Sequence, residues 1–334
     1  MRFVENPPNP YLGEHRALLG PPPPARLSVY EERAAAILAR NDSPDLPFRW
    51  SLNPYRGCQH ACAYCYARCT HEYLGLGAGT DFDTRIVVKI NAPERLAATL
   101  GRRGWRRETI MFSGATDCYQ PLEAVYRVTR RCLEVCVDAA NPVAIVTKAG
   151  LIARDIDVLV ELKRRAGVRV CFSIPFADSE VARRLEPFAP PPSWQFEAMR
   201  RLASAGVRVG VLVCPIIPGL SDREIPAILQ QAADAGATTA GYAPVRLPGS
   251  VQQVFLARLQ AELPDAAERV MQRIRDVHGG VLDERRPGKR MCGQGAYWES
   301  VARLFEAVAA RVGLDCGQQS EETPRPVARQ LRLF

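Results

Sequence analysis

The chain has 334 residues, of which 47% are hydrophobic and 24% charged, a composition that indicates a globular protein with one large core, alone or with a smaller appendage. Its opening residues contain no apolar run like that of a signal peptide, and its longest apolar stretch, 207–220, is broken by prolines, so we expect a cytoplasmic protein without a membrane partner. In the cytoplasm its eleven cysteines stay reduced, which excludes a disulfide framework and leaves them free for packing, metal binding or redox chemistry.

The formal net charge of +8 and the pI of about 9.0 permit an anionic partner such as nucleic acid. Only four of the 44 basic residues are lysines, however. An arginine bias this uniform favours genomic base composition over a binding patch as its cause. The charge alone therefore does not establish a nucleic-acid partner.

Residues 1–50 form a predicted N-terminal arm that is largely irregular. It contains a stiff polyproline segment at Pro21–Pro24, and the pattern that follows predicts one helix over Val29–Arg40. The arm is expected to lie over the domain that begins near residue 51.

From about residue 51, short β-branched runs alternate with longer amphipathic ones. The apolar runs predict strands over Thr109–Phe112, Val143–Thr147, Val168–Ile174, Val207–Cys214 and Thr238–Ala243, with a sixth strand just before Cys58. The amphipathic runs between them predict helices over Glu123–Ala139, Leu151–Arg165, Ser193–Ala205 and Ile225–Ala235. Strand, helix and strand at this spacing imply parallel pairing with right-handed crossovers. Residues 51–250 are therefore predicted to form an α/β domain, a partial (β/α)6 barrel.

In such a barrel the carboxyl ends of the strands build the site. Polar residues lie at or just after the ends of four of these apolar runs, namely Ser113–Asp117, Thr147–Lys148, Ser173 and 215–222. Together with the cysteine-rich loop after the first strand, they are expected to gather at one rim.

After residue 250 the alternation stops and helical patterns dominate. They cover Val251–Ala261, Ala266–Val277 and Tyr297–Arg311, and predict a small helical C-terminal cap over residues 251–316. Residues 317–334 are polar and contain proline, which predicts a disordered tail.

The stretch NPYRGCQHACAYCYAR, residues 53–68, places Cys58, Cys62 and Cys65 within eight positions. A structural zinc site uses four ligands, usually in two distant pairs, and this chain has no matching second pair. Cys69 is a possible fourth ligand, but it falls where a helix is predicted to begin and would point away. Three thiolates on one loop suit three irons of a [4Fe-4S] cluster and leave the fourth iron open to a small chelating molecule.

This spacing, with Tyr64 just before the third cysteine and a six-strand barrel starting at the loop, resembles the radical S-adenosylmethionine (SAM) superfamily. Within it the sequence is similar to the branch of spore photoproduct lyase and its relatives. The similarity rests on Cys65-Tyr66, on SGATDCYQPLE at 113–123, on VTK ending at Lys148 and on CFSI around Ser173, and it fades outside residues 51 to about 244.

The resemblance implies one [4Fe-4S] cluster and SAM as cofactors, with reductive cleavage of SAM to methionine and a 5′-deoxyadenosyl radical. The residues that it implies for binding SAM are Tyr64, Gly114, Thr116, Asp117, Lys148 and Ser173. Thr116 and Asp117 would lie near the methionine or ribose moiety, Lys148 would neutralise the carboxylate and Ser173 would bind the ribose. A carboxylate in a dry barrel mouth needs a cation, although Lys148 at a solvated strand end is the alternative.

Two further residues are candidates for catalysis. Tyr66 occupies the position where the lyase has a tyrosine thought to relay a hydrogen atom, and Cys118 falls close to the position of its hydrogen-donating cysteine. The alternative for both is packing, Tyr66 on the cluster and Cys118 at a turn.

The remaining cysteines predict no second cluster. Cys132 and Cys136 share one face of a helix, Cys171 and Cys214 lie in apolar strands, and Cys292 and Cys316 are too far apart in sequence. One cluster is therefore expected.

The chain ends in QLRLF. Gln330, Leu331, Leu333 and Phe334 resemble the motif by which bacterial repair proteins bind the sliding clamp, with Arg332 in place of a smaller or acidic residue. Docking of these apolar residues onto the barrel of the same chain is the competing interpretation.

The leading functional hypothesis is a radical SAM enzyme that repairs DNA lesions and takes its electron from a donor of the flavodoxin or ferredoxin class. A second hypothesis keeps the cofactors but places the substrate in RNA or in a protein side chain. A third is a non-catalytic iron-sulfur adaptor recruited to the clamp, and a zinc-binding module is a fourth.

Overall fold

The computed structural model describes residues 26–316. The polyproline segment Pro21–Pro24 and the terminal motif of Gln330, Leu331, Leu333 and Phe334 lie outside these residues. Between residues 26 and 316, no helix is long and apolar enough to cross a membrane.

Strands and helices alternate from Trp50 onward, as the sequence predicts. The strands are β1 (Ser28–Glu32), β2 (Leu38–Arg40), β3 (Trp50–Leu52), β4 (Tyr55–Arg56), β5 (Arg85–Lys89), β6 (Ile110–Phe112), β7 (Val143–Thr147), β8 (Val168–Ser173), β9 (Arg208–Ile216) and β10 (Thr239–Pro244). The helices are α1 (Thr80–Thr84), α2 (Ala92–Leu100), α3 (Glu123–Tyr126), α4 (Val128–Asp138), α5 (Ile156–Arg165), α6 (Ser179–Leu185), α7 (Pro192–Ser204), α8 (Ile225–Asp234), α9 (Val251–Glu262), α10 (Pro264–Val277) and α11 (Gly295–Arg311). Shorter 3-10 helices span Tyr66–Leu74, Gly150–Asp155 and Asp222–Glu224.

Six strands of the main sheet are parallel and follow one another in chain order, β3, β6, β7, β8, β9 and β10. Strand β2 pairs antiparallel with β3 and ends the sheet on that side. The sheet is open between β2 and β10, which confirms the predicted partial (β/α)6 barrel. The register sets Thr147 opposite Phe172 and Ser173 opposite Leu212, so the carboxyl ends of these strands form one rim.

The main core lies between this sheet and the crossover helices. Helix α5 shows why the sequence folds this way, because Val158, Leu159 and Leu162 form its buried face and three basic residues fill its last turn. Cys132 and Cys136 on α4 are fully buried in the same core, as predicted.

The predicted helix over Val29–Arg40 is wrong, because this segment forms the strands β1 and β2. Strand β1 pairs in parallel with β5, which also pairs with β4 in a separate three-stranded sheet. Alanines in the middle of the segment favour a helix locally, but the Asn91 side chain accepts from Ala34 N at 2.8 Å and donates to Ala34 O at 3.0 Å. Tertiary contacts therefore override the helix propensity.

The predicted helix over Glu123–Ala139 is interrupted at Arg127, which adopts a φ of 50°. The helix restarts because the carboxylate of Glu123 accepts hydrogen bonds from Thr129 N at 2.9 Å and Arg130 N at 3.2 Å. Amides in the first turn of a helix have no acceptor within the helix itself, so the Glu123 side chain caps α4.

The three C-terminal helices follow β10 as predicted, but they pack in two places. Helices α9 and α10 share an apolar cluster with Cys62 and Tyr64 of the cysteine loop. Helix α11 packs on α8 and β10, where Phe305 lies 4.3 Å from Tyr242 between ring centroids. Helices α9 and α10 are thus the part of this region that covers the candidate site.

Candidate active site

The three cysteines of the CxxxCxxC motif lie on a loop between β4 and the 3-10 helix that starts at Tyr66. Cys58 and Cys62 are each only 7% exposed and Cys65 is half-buried. Cys65 contacts both of the apolar clusters to which Cys58 and Cys62 belong. The loop therefore gathers three thiols in one largely buried region.

Gly57 is required where the chain enters this loop. Its φ is +78°, and a Cβ there would lie 2.8 Å from His71 Cε1 and 2.9 Å from the carbonyl oxygen of Phe82. Only glycine combines this backbone conformation with such a close approach.

The chemistry of these thiols fits an iron-sulfur cluster. Burial raises the pKa of Cys62, and burial also raises the pKa of Cys65 to about 11, so the thiolates are formed on metal binding rather than before it. Over residues 26–316, no three His, Cys, Asp or Glu side chains form a group that could hold a single metal ion. A cubane makes no such demand, because each thiolate binds a different iron.

Cys69 does not join the three thiols. Its Sγ donates a hydrogen bond to the carbonyl oxygen of Pro248 at 3.2 Å, on the loop that follows β10. The fourth cysteine of the segment thus faces a different part of the molecule.

The buried side chain of Arg68 holds the cysteine loop in place through hydrogen bonds. The sequence analysis did not identify this role. The guanidinium of Arg68, 1% exposed, donates to the carbonyl oxygens of Cys62 at 2.8 Å, Ala78 at 2.9 Å and Gly79 at 3.0 Å, and pairs with Asp83 at 2.9 Å. A single arginine in an arginine-rich sequence carries no signal that would identify this role.

A pair of glutamines joins the cysteine loop to the segment after β6, and both were also missed. Gln120 Nε2 donates to the carbonyl oxygen of Gly57 at 3.0 Å, and Gln59 N donates to Gln120 Oε1 at 3.1 Å. The side chain of Gln59 accepts in return from Leu122 N at 2.8 Å. The segment after β6, which was predicted to lie at the rim, thus holds the loop that carries the three cysteines.

Replacing Gln120 by alanine should lower the free energy of unfolding by about 1–3 kcal/mol, because it leaves the buried Gly57 O and the partly buried Gln59 N without their partner. Chemical denaturation measures this. Gln230→Ala on the surface of α8, where the side chain meets only Asp234, should change stability by less than about 0.5 kcal/mol. Equal effects of the two substitutions would contradict the assigned role of Gln120.

Asp117 lies at the junction of two strand ends and the cysteine loop. It accepts from Thr147 Oγ1 and Lys148 N at 2.7 Å each and from Tyr119 N at 2.9 Å, and it pairs with His60 Nδ1 at 3.4 Å. Burial acts to raise its pKa, but these hydrogen bonds and His60 outweigh burial and lower it. Most of its acceptor capacity is used inside the protein, and a contact with SAM stays a prediction.

Three of the other predicted residues, Tyr66, Thr116 and Cys118, differ in how deeply they are buried. Tyr66, 49% exposed, donates its hydroxyl to the carbonyl oxygen of Gly114 at 2.7 Å. Thr116 is buried and donates to the carbonyl oxygen of Tyr55 at 2.9 Å. Cys118 differs from Tyr66 because it is fully buried in the main core, so its proposed role as a hydrogen-atom donor stays a prediction.

The structure brings Lys148, Ser173 and Tyr64 together. Lys148 Nζ donates to the carbonyl oxygen of Ser173 at 3.0 Å and lies 5.9 Å from the centroid of the Tyr64 ring. The Ser173 hydroxyl donates to the carbonyl oxygen of half-buried Cys214 at 2.8 Å. Lys148 is thus buried at the rim, not at a solvated strand end.

Lys148 has an acidic neighbour that the sequence analysis missed. Glu186, just past the end of α6, places Oε1 2.8 Å from Lys148 Nζ. Burial raises the pKa of Glu186 to about 8, although His60 opposes this, and burial lowers the pKa of Lys148. The two shifts have the direction expected for charges removed from water.

The buried hydroxyl of Tyr64 has no hydrogen-bond partner in the described residues, whereas Oε1 of Glu186 is held by its ion pair with Lys148 at 2.8 Å. Buried polar groups in folded proteins are nearly always satisfied, so the unpartnered hydroxyl indicates a place for water or ligand.

Comparison with known proteins agrees with this geometry. The family model of the radical SAM superfamily matches residues 52–232. An uncharacterised protein of Mycobacterium tuberculosis is 37% identical over 226 residues, which cover 67% of this chain and 66% of that protein. An uncharacterised protein of Methanocaldococcus jannaschii is 30% identical over 176 residues, 53% of this chain and 63% of that protein. The chain thus spans just under two thirds of these relatives.

Among solved structures, spore photoproduct lyase in complex with dinucleoside spore photoproduct has a similar fold. The TM-score is 0.61 at 16% identity, covering 86% of this chain and 81% of that one. A variant of that lyase with bound SAM and the same dinucleoside also gives a TM-score of 0.61, at 17% identity.

Proposed function

The chain belongs to the radical SAM superfamily, whose members are enzymes that use a [4Fe-4S] cluster and SAM, and from this premise we propose that Cys58, Cys62 and Cys65 hold one such cluster. The observation that carries the proposal is the largely buried loop with three thiols, which lies near a buried lysine, Lys148. A fourth thiolate is absent from this set, which leaves one iron available to SAM.

When bound, the cluster supplies one electron that cleaves SAM to methionine and a 5′-deoxyadenosyl radical, which takes a hydrogen atom from the substrate. The side chains of this protein bind and orient. Lys148 provides a cation for the carboxylate of the methionine moiety, and the ring of Tyr64 lies 5.9 Å from its Nζ. Ser173 and Thr116 are proposed to line the ribose side.

Exclusion of water falls to α9 and α10. Phe255 and Val251 of α9 are fully buried in the apolar cluster that also contains Cys62 and Tyr64. A dry surrounding protects a reactive radical from side reactions and strengthens the interaction of Lys148 with an anion.

For the substrate, we propose a damaged base in DNA. The support is the fold shared with spore photoproduct lyase and the half-exposed Tyr66 at the mouth, which is suited to relay a hydrogen atom between the radical and a bound substrate. A base in RNA is the second candidate, because the net charge of +8 permits any polyanion as a partner. The electron donor is proposed to be of the flavodoxin or ferredoxin class.

The test measures 5′-deoxyadenosine released from SAM by anaerobically reconstituted protein with dithionite. We expect release, and we expect ultraviolet-irradiated DNA to increase it over undamaged DNA of the same sequence.

Tyr66→Phe should slow lesion conversion while leaving SAM cleavage in the absence of substrate intact. Tyr73→Phe, at an exposed position, should leave both rates unchanged. Absence of 5′-deoxyadenosine would favour the non-catalytic adaptor, and release indifferent to DNA damage would refute the lesion as substrate.

A further inference from the structure

An arginine-rich segment, GRRGWRRET at residues 101–109, connects α2 to β6 and is called the arginine loop below. It exposes four arginines within six positions, Arg102, Arg103, Arg106 and Arg107. None of the four forms an ion pair with any residue between 26 and 316, and the acid of the loop, Glu108, pairs with Arg49 instead at 3.5 Å. Four positive charges are thus concentrated on one short surface loop.

The arginine bias of the sequence explains how many arginines the chain has, but not where they stay unpaired. Several exposed arginines on helices pair with an acid one turn away, as Arg164 does with Glu161 and Arg200 with Glu197. In the arginine loop the charges are alike and repel one another, so a bound anion would stabilise it.

The arginine loop is held in a fixed shape. The half-buried Trp105 donates its Nε1 to Asn141 Oδ1 at 2.6 Å, and its ring centroid lies 5.6 Å from that of Trp50. Asn141 Nδ2 in turn donates to the carbonyl oxygen of Glu108 at 3.2 Å. A preformed surface loses less conformational entropy when it binds a partner.

Two of the four arginines line a surface hollow of about 430 Å³ beside Trp105. Arg102 and Arg107 line it together with Asp138 of α4, yet neither arginine pairs with this carboxylate in the described part of the chain. Arg107 adopts a φ of 53°, which is uncommon for a residue other than glycine and is found most often at binding sites. The hollow therefore offers two guanidinium groups to an anion such as a phosphate.

The arginine loop and the candidate active site lie on opposite edges of the main sheet. The loop is at the amino end of β6, whereas Lys148 and Ser173 are at the carboxyl ends of β7 and β8. An electron donor has to approach the cysteine loop, so the arginine loop is on the wrong side for such a partner. Residues 101–109 also expose no large apolar side chain that could enter a membrane.

We propose that the arginine loop binds the phosphate backbone of nucleic acid, independently of base sequence. Arginine suits this task because its planar guanidinium group pairs with two phosphate oxygens at once. The inference goes beyond the proposed function, because it requires neither SAM nor a damaged base. Nucleic acid held at this edge leaves the opposite edge, with the candidate active site, uncovered.

The experiment measures binding of an undamaged DNA duplex to the reconstituted holoprotein over a range of salt concentrations, without SAM. The triple variant Arg102→Gln, Arg106→Gln and Arg107→Gln should bind about tenfold to a hundredfold more weakly at low salt. The slope of log affinity against log salt should fall by about 2 to 3, because each phosphate contact contributes about 0.9. An RNA duplex should show a similar loss of affinity, because the contacts are to phosphate.

The matched control loses the same net charge from exposed arginines on α7, α10 and α11, through Arg200→Gln, Arg269→Gln and Arg303→Gln. It should keep the affinity and the salt slope of the wild type. Lysine at the three loop positions should restore the slope, which separates a lost charge from a lost fold.

The inference is overturned if both glutamine variants weaken binding equally, if the loop variant binds like the wild type, or if the wild type binds no nucleic acid. Displacement of the DNA by polyglutamate at equal charge concentration would favour an acidic protein partner and overturn it as well. SAM cleavage without DNA tests the proposed function separately, and its failure would leave this inference standing.

Discussion

Replacing Cys58, Cys62 and Cys65 together by alanine is expected to reduce iron from about four atoms per chain to nearly none after anaerobic reconstitution. The reason is that the three thiolates are the whole proposed ligand set. Iron analysis and the visible absorption of the cluster measure the result. SAM cleavage should be lost with the iron.

The matched control replaces three other cysteines, Cys69, Cys292 and Cys316, which are partly exposed like Cys65. This variant should keep about four irons per chain. Iron retained by the first variant, or lost from the second, would contradict the assignment of the ligands.

Arg68→Ala is expected to lower the free energy of unfolding by about 3–5 kcal/mol, because it leaves a buried carboxylate and three carbonyl oxygens without their donor. Loss of the bond to Cys62 O also loosens the loop, so the variant should bind less iron. Denaturant unfolding of the apoprotein and iron analysis measure the two effects separately. Arg68→Lys should recover little, because one ammonium group cannot reach all four acceptors.

Arg200→Ala is the control for this substitution, since Arg200 is exposed on α7 and pairs only with Glu197. We expect a change within about 0.5 kcal/mol. A similar stability of the Arg68 and Arg200 variants would show that the buried guanidinium does not hold the loop.

The destabilisation by Arg68→Ala should depend on pH through Asp83. Burial raises the pKa of Asp83 to about 6 even though Arg68 opposes this, and removing Arg68 raises it further. An aspartate with a raised pKa in the folded state costs stability once the pH exceeds its unfolded value of about 4. The deficit of the variant should therefore be smaller at about pH 5 than at about pH 8.

The sequence predicted the features that depend on local periodicity or on a short motif. Alternating apolar runs gave five of the six parallel strands, and the cysteine spacing with Tyr64 located the loop. The sixth strand was expected just before Cys58, but the strand at that place is β4 of the small sheet, and the sixth parallel strand is β3, a few residues earlier. The ends of the strands correctly brought Lys148 and Ser173 to one rim, because parallel strands in chain order must end on the same side.

The residues that complete the site could not be predicted, because their partners are distant in sequence. Gln120 meets Gly57 across 63 positions, and Glu186 follows a short helix whose pattern indicates only a surface element. The predicted arm helix failed for the same reason, since the pairing of β1 with β5 is invisible to local propensity.

The small sheet of β1, β5 and β4 makes the fold of the barrel domain depend on the N-terminal arm. The superfamily match begins at residue 52, but β5 is paired on one side by β1 from the arm and on the other by β4, which leads through Gly57 into Cys58. A truncated protein that starts at residue 52 would lack β1 and expose β5 as an edge strand. Exposed edge strands promote intermolecular aggregation. We therefore expect that a stable fragment of this protein must include the arm from Ser28 onward.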